Sequence, residues 1–542
     1  MWIPRPDPGR ARRYHAEGWW RDVSIGQAVA ASCAARAHHV AVLDAQGGTL
    51  TYAELDAASS RLAGWLQNQG VGSGDIVTIC LPNRAEAIVA FLGALKLGAV
   101  LNPVPVTYGP ADMAYVIGKC ASKAVIVAGR FRSADYTAYM ARILPDLGHA
   151  PAVLVLGEGA HAVGTAWEEA LARAPLADTA VPDADGPAAV LFTSGTESQP
   201  KGAVHSHNTI LFGERAMARA LDLTADDIAF MASPISHATG FLHGFAMTMM
   251  LGGTLSLLDV FTAPAAIAQM RAHKASWTMG ATPFLTDTVR ELAARSEALP
   301  DLRYFLCGGA PVPEEAVRRA ADADIRVLSI YGSTESPPHT LVHPDDPAEN
   351  AWTTDGRPLA GIEVRIAGAD GGGVATGEVG EEWSRGPNTF LGYLDAPDLT
   401  AKALDADGWV HSGDLARGFP DGSIRIAGRI KELIIRGGQN ISVREVEEKL
   451  LRIPGCRQVA VVGIPHERLG ETGCAVFTVD PGTTITLADV QRFLIEAGTA
   501  KFKIPERVEV WERLPMTPSG KIQKYLIRKQ LTDGIGAGGT RP

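Results

Sequence analysis

Thr193-Ser-Gly-Thr-Glu-Ser-Gln-Pro-Lys-Gly202 is the stretch on which the reading of the fold turns. It follows Ala188-Ala-Val-Leu-Phe192, an apolar run that reads as a buried strand, so a Ser/Thr/Gly loop leaves a sheet edge with its backbone N–H groups free. A loop of this kind ending in lysine suits a polyphosphate. A Walker loop needs Gly-Lys-Ser/Thr, whereas here Pro200 precedes Lys201 and Gly202 follows, which excludes a P-loop NTPase.

Outward from the loop, strand-like apolar runs alternate with amphipathic helical stretches, the pattern of an α/β fold with parallel sheets. Asp75-Ile-Val-Thr-Ile-Cys-Leu-Pro82, a helix and Gly98-Ala-Val are echoed by Asp227-Ile-Ala-Phe-Met-Ala-Ser-Pro234, a helix and Gly252-Gly, Asp227 standing 152 residues after Asp75. The echo predicts two similar strand–helix–strand layers. After about residue 360 the texture changes: Gly371-Gly-Gly373, Asp421-Gly422 and short Val/Ile/Glu runs predict hairpins and a β-rich subdomain over about 360–428. Beyond Arg429, helical patterns at Arg444 to Leu451 and Asp489 to Ala497 flank the strand-like Val459-Ala-Val-Val462, which predicts a small α+β domain. The expected division is 1–428 as a large domain, 429–431 as a hinge, 432–531 as a mobile C-terminal lid, and 532–542 as a Gly-rich disordered tail.

At 542 residues the chain has room for more than one core. Its 46% hydrophobic and 20% charged content is that of a folded enzyme rather than a disordered chain. A formal net charge of −10 argues against general nucleic-acid binding, although residues 432–542 carry 16 Lys and Arg against 13 Asp and Glu. The six cysteines lack C-x-x-C spacing and sit mostly in apolar runs, as buried thiols in a reducing cytosol would. Met1 to Gln27 has no uninterrupted apolar core, so no signal peptide is expected. The longest apolar tract, Gly244 to Leu258, is short for a membrane span and broken by Gly252-Gly253, and so reads as a core helix leading into a strand. A cytoplasmic protein without membrane attachment follows, its oligomeric state open, with a homodimer among the options.

The loop and four further segments, in order and at matching spacing over nearly the whole chain, resemble the adenylate-forming superfamily, which includes acyl-CoA synthetases and aryl-acid ligases. That family's phosphate loop reads TSGTTGxPKG, so Glu197 and Ser198 are departures. The resemblance implies that Thr193, Ser194, Gly195, Thr196 and Lys201 hold phosphates. Tyr331-Gly-Ser-Thr-Glu335 resembles the family's YGxTE segment. By that resemblance Tyr331 stacks on adenine, Gly332 and Thr334 line the nucleotide, and Glu335 with Thr196 holds Mg²⁺, an ion that takes few carboxylates and many phosphate oxygens. Cys307-Gly-Gly-Ala-Pro311 implies an adenine and acyl wall from Gly308, Gly309, Ala310 and Pro311.

His411-Ser-Gly-Asp414-Leu415 resembles TGDL, implying that Asp414 accepts both ribose hydroxyls with help from Arg429, while Lys431 takes the hinge position. Pro515-Met-Thr-Pro-Ser-Gly-Lys521 resembles PxTxxGK, whose lysine reaches the reacting carboxylate and α-phosphate in the adenylating pose of the lid. Gly437 and Gly438 are implied to meet CoA in the second, thioester-forming pose. Pro234 to Phe241 stands where the family places its acyl-site helix, so Gly240 and Phe241 are acyl-binding candidates, and His237 either gates that pocket or is a core histidine. No aspartate occurs between Pro234 and Phe241, so an α-ammonium there would go unpaired and an amino acid is disfavoured as substrate.

The implied activity is ligation of an apolar, cyclic or bulky carboxylic acid to CoA through an acyl-AMP, with ATP and Mg²⁺, in the manner of cyclohexanecarboxylate-type and medium-chain ligases. Glu197 opens an alternative. A carboxylate roughly 7 Å from the pyrophosphate would cost about 2 kcal/mol per phosphate charge at an effective dielectric near 20, enough to slow adenylation and favour an enzyme fed with ready-made acyl-AMP. Acyl loading onto a carrier protein and a non-catalytic nucleotide binder are the remaining readings.

Overall fold

The computed structural model describes residues 1–193, 200–310, 312–517 and 520–533. The expectations placed on Ser194, Gly195, Thr196, Glu197, Ser198 and Pro311, and on the tail from 534, lie outside the described residues.

Two large, mainly parallel sheets form the body. The first runs, edge to edge, Gly392–Tyr393, Lys201–Ser206, Pro187–Thr193, Val100–Pro103, Ile76–Cys80, Ala124–Ala128, Ala152–Leu156 and Thr165–Ala166. All neighbours are parallel except around Lys201–Ser206, which is antiparallel to both of its partners. The second sheet has nine strands, and its central run from Arg326–Tyr331 through Tyr304–Gly308, Trp277–Ala281, Ile228–Met231 and Thr254–Leu257 to Val40–Asp44 is parallel.

The internal echo is structural. Ile76–Cys80, the helix Ala85–Lys96 and Val100–Pro103 form one parallel unit; Ile228–Met231, a helical stretch over Thr239–Leu251 and Thr254–Leu257 form its counterpart in the other sheet. Both helical stretches are buried almost all round, as a helix enclosed between two sheets must be. Phe91 of the first meets Phe241 edge-on at 5.3 Å and Phe245 at 5.1 Å, so the two units share one core. The helices differ in kind: Thr239–Met247 has π-helical turns.

The expected β-rich region is a four-stranded antiparallel sheet of Glu363–Ala367, Val379–Arg385, Val410–Gly418 and Ile424–Arg429. From its last strand the chain passes through one 3-10 turn, Ile430–Glu432, into the small C-terminal unit. There the long strands Cys456–His466 and Gly470–Val479 form a hairpin covered by the helices Val443–Leu450, Leu487–Glu496 and Lys524–Asp533, around cores of its own. The last helix includes Thr532 and Asp533, which the sequence reading assigned to the tail. Buried Ile527 and Leu531 anchor it against the hairpin, and the Thr532 hydroxyl donates to the Arg528 carbonyl at 2.7 Å. None of the six cysteines is in a disulfide, and five are buried. Among the described residues no helix is long and apolar enough to cross a membrane.

Candidate active site

The strands Tyr304–Gly308 and Arg326–Tyr331 end side by side, and in open α/β sheets ligands bind beyond such carboxyl ends. Gly308 and Gly309 continue the first strand, Gly332 to Glu335 the second, and the four-stranded sheet closes over them through Asp414. A Cβ on Gly308 would lie 2.5 Å from the Ile330 carbonyl oxygen, so the close pairing of these strands requires glycine there. One on Gly332 would lie 3.2 Å from Ser336 O and Pro338 Cα, which is tight but less so. Ala310 accepts a 3.5 Å hydrogen bond from the Thr282 hydroxyl.

Asp414 is buried, and both of its oxygens are engaged: Oδ2 accepts from the Tyr331 hydroxyl at 2.6 Å and Oδ1 from Arg429 Nε at 2.8 Å. A carboxylate has about four lone-pair sites, so acceptor capacity remains. Beneath Tyr331, His339 stands edge-on to its ring at 4.8 Å, with Nε2 3.3 Å from the fully buried Glu382 carboxylate. Burial lowers the His339 pKa, but the Glu382 charge more than offsets this and the net shift is upward. Neither His339 nor Glu382 was singled out from sequence; nothing in their local pattern marks them, because the pairing spans two sheets.

Lys521 comes to this place from the C-terminal unit. Gly309 has φ +83°, and a Cβ built there would sit 2.8 Å from Lys521 Cε. The lysine therefore lies directly on the Gly308–Gly309 backbone, which is open to it only because no side chain intervenes. Gly520 beside it would place a Cβ 3.3 Å from Ala281, at the end of a third parallel strand. Lys521 is reached by solvent yet surrounded by protein, so it faces a cleft rather than open water. Desolvation lowers its pKa and Arg429 lowers it further, against the opposing pull of Asp414 and Glu335. Lys521, Asp414, Glu335 and Arg429 thus act on one another electrostatically in one cleft, although they are dispersed from 335 to 521 in the chain.

On the phosphate-loop side, Thr193 pairs with Lys201 across a hairpin, so Lys201 opens a strand rather than a helix. Its Nζ lies 5.4 Å from the centre of the Tyr393 ring, and the Tyr393 hydroxyl donates to Glu335 Oε1 at 2.6 Å. Burial first, then the Glu335 charge, pushes the Tyr393 pKa well up, so the phenol stays a donor. Among the described residues Glu335 Oε2 has no partner. A single carboxylate with one oxygen engaged by Tyr393 would suit a hard cation whose other ligands are polyphosphate oxygens. Thr334 is fixed from behind: its carbonyl lies 2.7 Å from Nε2 of the fully buried His205, whose Nδ1 is 3.1 Å from the Thr209 hydroxyl. Burial pushes His205 down to about 4, so it is neutral. Tyr393 and His205 were not read from sequence as site residues.

The segment before the π-helix is held by Asn83, from the other half of the echo. Its amide nitrogen reaches the carbonyls of Met231, Ser233 and Leu258 at 3.3, 3.0 and 3.1 Å, and its Oδ1 accepts from Ile235 N at 2.9 Å. His237 follows, pushed down to about 3 by burial and then by the Lys521 charge, which leaves a neutral imidazole close to the lysine. Gly240 is obligatory, since a Cβ would fall 2.3 Å from the Pro234 carbonyl oxygen. Phe241 is fully buried against Phe91, and Met247 and Met249 are likewise core residues. His243 Nδ1 lies 2.9 Å from buried Glu214.

Two predicted elements are not at the cleft. Gly437 (φ +56°) and Gly438 (φ +81°) form the two-residue turn of an exposed hairpin in which Arg436 pairs with Gln439, the geometry for which Gly-Gly is suited. Lys431 is exposed in the connecting 3-10 turn. The C-terminal unit is also held to the body by ions: Arg425 donates to Glu448 at 2.7 Å, and Arg444 stands 3.5 Å from the buried carboxylate of Asp355.

Residues 29–394 match the family model described as AMP-binding enzyme, and residues 445–521 match that of the AMP-binding enzyme C-terminal domain. The chain is 40% identical to the medium-chain fatty-acid–CoA ligase of Escherichia coli (strain K12) over 96% of its length and 93% of that protein's. It is 33% identical to the (7a-methyl-1,5-dioxo-octahydro-1H-inden-4-yl)propanoyl:CoA ligase of Rhodococcus jostii (strain RHA1), covering 89% of this chain and 94% of that one. Among solved structures, ATP-bound MatB from Rhodopseudomonas palustris superposes with a TM-score of 0.84 at 29% identity, covering 94% of this chain and 99% of that chain.

Proposed function

The chain belongs to the AMP-binding enzyme family, an ATP-dependent acid–thiol ligase by that membership, and we propose that it carries out both half-reactions of an acyl-CoA ligase on an apolar, bulky or cyclic carboxylic acid. In the first, the acid's carboxylate oxygen attacks the α-phosphorus of ATP and pyrophosphate leaves. In the second, the CoA thiolate attacks the acyl carbon and AMP leaves. The observation that carries the first half is Lys521 lying on Gly309, within the fields of Asp414 and Glu335. A cation there offsets the repulsion between the two reacting anions and then the charge growing on phosphorus.

In this reading Asp414 and Arg429 hold the ribose, Tyr331 and the 308–311 wall hold adenine, and Lys201 with the 193–196 loop holds the phosphates. Glu335 is the Mg²⁺ ligand, with Thr196 as its companion; the ion, when bound, neutralises phosphate charge. The C-terminal unit from 432 is the lid. Turning about Lys431 would break the Arg444–Asp355 and Arg425–Glu448 ion pairs and bring the Gly437-Gly438 turn to the thiol's path. Neutral His237 suits an apolar acid, because it adds no charge to the wall beside the carboxylate. The relatives that act on a medium-chain fatty acid and on a bulky bicyclic acid support the same substrate class.

ATP/pyrophosphate exchange across straight-chain, alicyclic, aromatic and small polar acids tests both parts. Brisk exchange and thioester formation with alicyclic or medium-chain acids is expected, and preference for a small polar acid would overturn the substrate assignment. Thioester made only from supplied acyl-AMP would overturn the first half-reaction, and Glu197→Thr/Ser198→Gly would then restore exchange.

A further inference from the structure

A second cavity lies away from the cleft. It has a volume of about 240 Å³ and is formed where the N-terminal segment around Trp19 and Arg21, the helix His207–Ala220, and the turn at Leu359 meet. Its walls are apolar: Trp19 stands perpendicular to Phe212 with ring centres 5.5 Å apart, and Leu359 is buried. The wall is closely built, since a Cβ on Gly361, which has φ +87°, would lie 3.0 Å from Phe212 and 3.3 Å from Trp19.

Three arginines border this cavity, Arg215 half-buried in its wall and Arg21 and Arg219 exposed at its rim. Among the described residues none of them has a carboxylate within 4.0 Å. Arg215 is fixed by a 2.9 Å hydrogen bond from Nη2 to the Trp19 carbonyl, which aims the fork rather than neutralising it. Burial, then the repulsion of Arg21 and Arg219, pushes Arg215 down to about 10. The half-buried Arg215 faces two like charges and no counter-charge, an arrangement relieved by an oxyanion, which arginine binds through paired N–H donors.

We propose that this cavity is a binding site for a small organic anion, an oxyanion head on an apolar body, separate from the acid and nucleotide cleft. A cavity of about 150 Å³ suffices for benzene, so this one takes a bicyclic ring or a chain of similar bulk. The site lies almost opposite Glu214 around the helix, at 100° per residue, and Glu214 is the residue that meets the acyl-side helix through His243. The two sites thus share a helix but no side chain. Carboxylates and phosphate monoesters share the required chemistry, and the probes separate them.

Calorimetric titration with 2-naphthoate, 2-naphthyl phosphate and inorganic phosphate is the test, run on the full chain with the acid and nucleotide cleft filled by a saturating non-reactive acyl-AMP analogue, so that only the second site is read. One equivalent of at least one naphthyl probe is expected to bind, and whichever binds more tightly identifies the head group. Arg215→Gln should weaken it at least tenfold. Arg219→Glu, at an exposed position that does not threaten folding, should do the same. Lys521→Ala should leave it unchanged. Equal affinity in the wild type and both arginine variants, loss in Lys521→Ala, binding of neither naphthyl probe, or inorganic phosphate binding as tightly as the naphthyl ester would each overturn the proposal.

Discussion

Replacing Gly309 with alanine separates the two half-reactions by sterics alone. The new Cβ would stand 2.8 Å from Lys521 Cε, whereas two carbons settle at about 3.5–4.0 Å, so the lysine tip must retreat by roughly 1 Å. The far end of a flexible chain retreats cheaply, and the cost to folding is chiefly that of a side chain at φ +83°, about 1–2 kcal/mol. For catalysis the same retreat is expensive, since a misplacement of about 1 Å from near-attack geometry costs on the order of 100-fold. Pyrophosphate exchange by Gly309→Ala is therefore expected to fall between about 10- and 100-fold, while thioester formation from supplied acyl-AMP, which does not use Lys521, falls several-fold at most. Both are measured on the same preparation, with circular dichroism to establish folding. Unchanged exchange by a folded variant, or equal loss in both half-reactions, would show that Lys521 does not work from the position seen here.

Tyr393→Phe removes the 2.6 Å hydrogen bond to Glu335; a hydrogen bond to a charged group is worth about 1.5–3 kcal/mol, so exchange should drop at least tenfold and need more Mg²⁺ for half-maximal rate, and an unaltered Mg²⁺ titration would refute the role. Arg444→Gln removes the lid's own cation from Asp355, leaving it the body's Arg425 at 3.6 Å, and loosens the lid from the body. Exchange should fall about tenfold with thioester formation from acyl-AMP retained, and equal loss in both would count against a lid released at this contact. His205 and His207 are both pushed down to about 4 by burial, below the 6.5 of the unfolded chain. The unfolded state therefore binds protons that the native state refuses, and stability is lost as pH falls from about 6.5 towards 4, by up to about 1.4 kcal/mol per pH unit for each histidine. Urea unfolding at pH 7 and pH 5 measures this, and equal midpoints would contradict it.

The layers of the fold were legible because periodicity and apolar runs are local: Ala188 to Phe192 lies within a buried strand, and the echo at 152 residues lies in two matching parallel units. The motif-bearing positions were legible for a different reason, the resemblance of short segments to a family. What sequence left out is what pairs across sheets. Tyr393 reaches Glu335 from a strand on the edge of the other sheet, His205 reaches Thr334 from its neighbour, and Asn83 ties one repeat to the other. None of these has a spacing signature, because each partner comes from a separate element. The sequence reading also named no helix after Ala497 and began the tail at Thr532, inside the helix Lys524–Asp533, where Gly-rich composition outweighed the pull of two buried side chains.

The doubled strand–helix–strand unit bears on where change is tolerated. From Pro82 to Gly98 the first copy takes 16 steps along the chain; from Pro234 to Gly252 the second takes 18. The surplus pair falls in the span that holds His237 and the wide-turned helix, while the strands on either side keep their counterparts' pairing. The longer span is accommodated without disturbing the parallel frame of the strands around it. A change of length within that span therefore leaves both flanking strands their frame.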